Sequence, residues 1–187
     1  EREKVYHFFL EWGKLALRIL VPGGHVFIAS TPLLSDILSR AMRDSGFERR
    51  GEIIRTVSTL RGGDRPKGAE TDFPETSVIP KGLWEPWGLY RKPISERTIA
   101  ENLRVWGAGA LRRESENSPF VDLMQSEKTP KIERKIASHP SIKPQSFMRK
   151  IVRAALPLGS GVVLDTFSGS GSTLAAATFW GIDSIGI

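Results

Sequence analysis

Val5, Phe8, Phe9, Trp12, Leu15, Ala16, Ile19 and Leu20 recur at the three- and four-residue spacing of a helix with one buried stripe, and Val21-Pro22-Gly23-Gly24 breaks the pattern. "HVFIAS" then reads as a short strand. Thr31-Pro32 supplies a cap and a first-turn proline for a second helix running to about Asp44, ended by Gly46. "FERRGEIIRTVS" mixes β-branched and charged residues in a strand pattern, so the first third is helix, strand, helix, strand, the alternation of an α/β layer fold. From Leu60 to Lys81 glycine, proline and charge crowd together and predict a long loop. "WGLYRKP" carries one more strand, near 87–91, and Ile94 to Ala137 is a polar stretch with no clear period. Beyond it, Gln145 to Leu156 is helical, "GVVLD" is a strand, and Thr173 to Trp180 is a helix capped by Gly181.

Composition narrows the class. With 187 residues, 40% of them hydrophobic, the chain can bury one sizeable core. Its net charge of +6 favours an anionic partner, nucleic acid first. Cysteine is absent, and His7, His25 and His139 lack ligand spacing, so neither a disulfide framework nor a metal site is expected. No apolar run approaches the roughly 18 residues that span a bilayer, and no signal peptide opens the chain; an intracellular, cytoplasmic location follows as an expectation. The start at Glu1 and the stop within "SIGI" read as a portion of a longer protein.

The chemistry concentrates where "GVVLD" delivers Asp165 into Thr166-Phe167-Ser168-Gly169-Ser170-Gly171-Ser172-Thr173. Open α/β sheets bind ligands at the carboxyl ends of their strands, and the glycines let backbone approach a guest closely. A triphosphate loop would need a lysine that the turn lacks. A dinucleotide turn would want a small residue where Leu174 stands, and Asp165 would repel its phosphates. A ligand with a cationic amino acid end, such as a sulfonium cofactor, suits the acid better.

"VVLDTFSGSGSTLAAA", preceded by "HPSIKPQSFMRKIVRAALPLGSG", resembles the cofactor half of the amino-group DNA methyltransferases. "PGGHVFIAS" and "EPWGLYRKP" resemble the half that follows the catalytic motif, so the likeness covers nearly the whole chain; Thr166 departs from the family's usual proline. The order of motifs resembles the beta subgroup. The resemblance implies a Rossmann-like α/β sheet, S-adenosylmethionine as cofactor, and methyl transfer to the exocyclic amine of adenine or cytosine in double-stranded DNA, as in restriction–modification systems. It implies cofactor contacts from His139, Lys143, Pro144, Asp165, Thr166, Phe167, Ser168, Gly169, Ser170, Gly171, Ser172 and Thr173. It divides the chain into 1–59, the sheet half after the catalytic motif; 60–137, a long basic insert and target-recognition region; and 138–187, the cofactor half.

The family's catalytic Asp/Asn/Ser-Pro-Pro-aromatic motif is expected upstream of Glu1, on a strand lying between "HVFIAS" and "GVVLD", so the sheet is expected to be incomplete and this stretch inactive alone. "NSPF", Asn117 to Phe120, is the nearest match and reads first as an ordinary turn. Ser170, Ser172 and Thr173 suit a helix cap as well as a ligand. From Arg49 to Lys67 six basic residues face two acidic ones, and Arg61, Arg65 and Lys67, with Arg112 and Arg113, are candidate phosphate contacts. The five tryptophans read as packing anchors. A homodimer is compatible with the sequence. Two rivals remain: a DNA-binding or cofactor-binding remnant, or subunit completed by another chain, and a nicotinamide-dependent oxidoreductase, which Asp165 and Leu174 disfavour.

Overall fold

The computed structural model describes residues 1–57, 65–136 and 142–187. In chain order the elements are α1 (Arg2–Ile19), β1 (His25–Ala29), α2 (Ser35–Asp44), β2 (Glu48–Thr56), β3 (Trp84–Arg91), α3 (Ile99–Trp106), β4 (Leu123–Gln125), α4 (Lys131–Ile136), α5 (Gln145–Ala155), β5 (Val162–Asp165), α6 (Ser172–Phe179) and β6 (Asp183–Gly186). They form a four-stranded sheet in the order β1-β3-β2-β4 and a two-stranded sheet of β5 and β6.

Strand β3 is the centre of the larger sheet, antiparallel to both β1 and β2, and β4 adds to β2 in parallel. Buried on both faces, it sends Trp87 and Leu89 one way and Tyr90 the other. The first face meets α5 and α6 through Phe147, Met148, Ile151, Val152, Ala176 and Ala177. The second meets α1 and α2 through Ala16, Leu38 and Met42. The result is helices on both sides of a sheet, each large buried side chain contributing about 1.5–3 kcal/mol. Among the described residues no helix is long and apolar enough to cross a membrane.

Two sequence expectations change. The second helix begins at Ser35, because Thr31 closes a turn in which its carbonyl accepts the N–H groups of Leu34 and Ser35, and the capping position falls to Leu34, without a side-chain cap. The stretch 94–136 is folded: α3 starts at a capping box of Thr98 and Glu101, β4 extends the sheet, and α4 follows. Asn102, fully buried on α3, donates to the carbonyls of Pro22 and Ala108 and accepts from Ser95 N–H, which ties this region to the turn after α1.

The gap expected in the sheet is visible. Among the described residues β1 pairs only with β3 and β5 only with β6, and Val162 and Leu164 of β5 remain 58% and 38% exposed.

Candidate cofactor and nucleic-acid site

The strand directions place the carboxyl ends of β1, β2 and β4 beside the amino end of β3. There Glu85 is held by three groups: Arg55 donates at 2.9 Å, the Trp87 indole donates at 3.0 Å, and Lys143 forms an ion pair at 3.2 Å. Arg55 is buried, bonds Ser126, and lies over the Phe147 ring at 5.0 Å. Burial alone would raise the pKa of Glu85; Lys143, Arg55 and the indole together outweigh it and hold the carboxyl below its usual value. Lys143 thus fastens the entrance of α5 to the end of β3.

Two residues on, the Gln145 side chain donates to the Ser172 carbonyl at 2.9 Å, at the start of α6. This carries the site onto the turn after β5. Asp165 Oδ1 accepts the Phe167 N–H at 3.0 Å, and its main-chain oxygen accepts the Ile187 N–H at 3.0 Å, so the acid is pinned at the strand end. Ser168 holds the Ile187 carbonyl through both its N–H and its hydroxyl. Leu174, too large for a dinucleotide turn, fits because Gly186 beneath it has no side chain: a Cβ there would lie 2.9 Å from the leucine.

Gly171, at φ +76, takes the N-cap position of α6, and an added Cβ would meet nothing within 4 Å. No side chain caps this helix. Ser170 and Ser172, read from sequence as caps, instead bond to each other at 3.1 Å, because the left-handed glycine already occupies the capping position. Thr173 lies in the first helical turn.

Across the turn stands α1. The Trp12 indole donates to Thr166 Oγ1 at 3.1 Å, and Phe167 lies 6.2–6.4 Å from the rings of Phe8, Phe9 and Trp12 while remaining 60% exposed. Carboxylate, open glycine backbone, bare helix N-terminus and aromatic wall therefore converge. They fit an amino acid zwitterion joined to an apolar ring system: the ammonium toward Asp165, the carboxylate toward the N–H groups of α6. Gln145 Oε1, buried without a partner among the described residues, is a further acceptor beside this turn.

Of the other residues singled out, Pro144 is fully buried and opens α5, its carbonyl accepting from Phe147 and Met148. His139 and Arg61 lie outside the described residues. Arg65 and Lys67 are exposed in the segment between β2 and β3. Arg112 and Arg113 are not brought to the cofactor turn: Arg112 N–H bonds the Ala154 carbonyl and the Arg113 carbonyl accepts from Arg153, both at the far end of α5. The basic run is divided, since Arg55 points inward to Glu85 and Arg49 pairs with Glu52. Asn117 sits within a turn closed by reciprocal Ser115–Ser118 bonds, and Phe120 packs against Phe27 in the core, as the ordinary-turn reading of "NSPF" has it. Trp87 is buried, whereas Trp84, Trp106 and Trp180 are 36–43% exposed. Sequence reasoning passed over Glu85, Gln145 and the bond from Trp12, whose partners are remote in the chain.

Comparison with known proteins bears on the fold and the family. Type II methyltransferase M2.DpnII of Streptococcus pneumoniae is 24% identical over 188 residues, covering 99% of this chain and 63% of its own length, so the chain spans somewhat under two thirds of that relative. The structure of M1.HpyAVI solved as a SAM complex superposes with a TM-score of 0.66 at 17% identity, over 95% of this chain and 74% of that one. The cytosine-N4-specific PvuII DNA methyltransferase gives 0.66 at 16% identity, over 99% and 66%. These likenesses establish a shared fold. A DNA methylase family model of the N6/N4 type matches residues 1–187 throughout, and the chain belongs to that family.

Proposed function

We propose that this chain is the cofactor-binding and target-recognition portion of a DNA methyltransferase that moves a methyl group from S-adenosylmethionine to the exocyclic amine of adenine or cytosine in duplex DNA. One observation carries the reading: Asp165 is fixed at the end of β5 and opens onto a turn where the space at Gly171 is free. The bound cofactor would supply an electrophilic methyl on a sulfonium. Asp165 would receive the ammonium of its amino acid end, the first turn of α6 the carboxylate, and the rings of Phe8, Phe9, Trp12 and Phe167, of which Phe8 and Phe167 stand more than half exposed, would cover its apolar part. A target base must leave the duplex to reach such a turn, so the protein's work is chiefly positioning. Residues 1–59 supply the sheet half, 60–137 the target-recognition region with Arg65 and Lys67 at its surface, and 138–187 the cofactor half.

Calorimetry on the full-length protein tests this. S-adenosylmethionine should bind, NAD should not, and Asp165→Asn should weaken the methyl donor at least tenfold, about 1.4 kcal/mol. Undiminished affinity in that variant, or tighter binding of NAD, would refute the assignment.

The open edges of β1 and β5 support a further part of the reading: an extended segment carrying the amine-holding motif pairs between them. A polypeptide of residues 1–187 alone should then transfer no labelled methyl groups to DNA, and transfer by it would sink the idea. The remnant reading has one observation in its favour, the partial burial of Phe120 against Phe27, which leaves "NSPF" as an ordinary turn. Methyl transfer by the full-length protein separates the two.

A further inference from the structure

Helix α4 was not singled out by any motif, yet its placement is unusual. Of its six residues only Glu133 is partly covered; Lys131, Ile132, Arg134, Lys135 and Ile136 are all exposed, the isoleucines at 74% and 82%. Glu133 is also the residue that anchors it, because its carboxylate accepts the Gln145 N–H at 3.1 Å. Just before the helix, Thr129 is buried and donates to the Ile142 carbonyl at 2.7 Å. The helix is therefore held at the mouth of α5, next to Lys143 and one side chain from the start of α6.

The sole acid of the helix is turned inward and its three cations outward. From Glu127 to Ile136 there are four basic residues and two acidic ones, and Glu133 is engaged with backbone, so the outward charge is strongly positive. By contrast Arg112 and Arg113 sit at the other end of α5. We propose that α4 is a DNA-backbone contact: Lys131, Arg134 and Lys135, with Lys128 before them, meet the phosphates flanking the target, and Ile132 and Ile136 lie against the deoxyribose edge. Cations on a short exposed helix give affinity and register without reading sequence. The helix thereby places the duplex over the cofactor turn. This inference rests on the methyltransferase reading above.

The test measures binding of a fluorescent duplex to the full-length protein by anisotropy between about 50 and 200 mM salt, where each phosphate contact contributes about 0.9 to the slope of log K against log salt. Lys131→Ala/Lys135→Ala should lower that slope by between about 1 and 2, with S-adenosylmethionine affinity unchanged. Lys131→Arg/Lys135→Arg should restore it. A control with the same charge loss, Arg18→Ala/Arg43→Ala, removes exposed cations from the last turns of α1 and α2 and should leave the slope as it was. An unchanged slope in the α4 variant, an equal fall in the control, or binding to anionic phospholipid vesicles that α4 governs while duplex binding does not depend on it, would each overturn the proposal. Full-length protein that binds neither the methyl donor nor duplex would instead overturn the methyltransferase reading beneath it.

Discussion

Glu85 is where the insert and the cofactor half meet in one side chain. Its carboxylate faces the guanidinium of Arg55, which is 5% exposed, together with Lys143 and the Trp87 indole. Removing the acid leaves a buried cation without its counter-charge, so Glu85→Gln should destabilise the protein by about 3 kcal/mol, the low end for a broken buried pair because a fifth of Glu85 still reaches water. The sign of the pH dependence follows from the lowered pKa. A carboxyl held below its unfolded value stabilises the fold above that value, near 4.5, and the contribution fades as pH falls through the lower, folded one. Chemical denaturation at pH 7 and at pH 3 should therefore show a large difference between wild type and variant at the first pH and a smaller one at the second. An equal difference at both would mean that the charge of Glu85 is not what matters.

At the level of elements, α1 does two jobs: one stripe buries against α2 and the sheet, and its middle presents Phe8, Phe9 and Trp12 to the cofactor turn. The Trp12–Thr166 bond joins them, and the hydroxyl that accepts it is the feature that replaces the family's usual proline. Trp12→Phe keeps a ring and loses the donor; Thr166→Val loses the acceptor. Each should cost about 1 kcal/mol in stability and weaken S-adenosylmethionine several-fold, and the double variant should be scarcely worse than either single one. Additive losses in thermal melts and calorimetry would show that the two residues act separately.

How much of this was legible follows from distance along the chain. Helices α1 and α5 and the strand–turn–helix around Asp165 were plain, since periodicity, an acid and two glycines lie within one local run. The folding of 94–136 was partly legible, because Thr98 and Glu101 form a capping signal that the polar character of the stretch obscured. Strand β4 has three residues and owes its existence to the edge of β2. The pairs Lys143–Glu85 and Trp12–Thr166 join residues 58 and 154 positions apart, and no local pattern announces them.

For the molecule as a whole, the decisive feature is a sheet in two pieces. Among the described residues, backbone groups on the open sides of β1 and β5 lack ladder partners, and leaving one buried and unpaired costs about 1–3 kcal/mol. Amide exchange should therefore be slow on those sides in the full-length protein and fast in a polypeptide of residues 1–187; equal protection in the two would remove the seam from the account. The proposed pairing across that seam asks only for an extended run of the right length and hydrophobicity, and is indifferent to which peptide bonds lead to it. Genes that shuffle the order of these segments, or encode them on separate chains, could thus arrive at one architecture, and re-cutting this polypeptide at its loops should be tolerated as long as that middle strand is supplied.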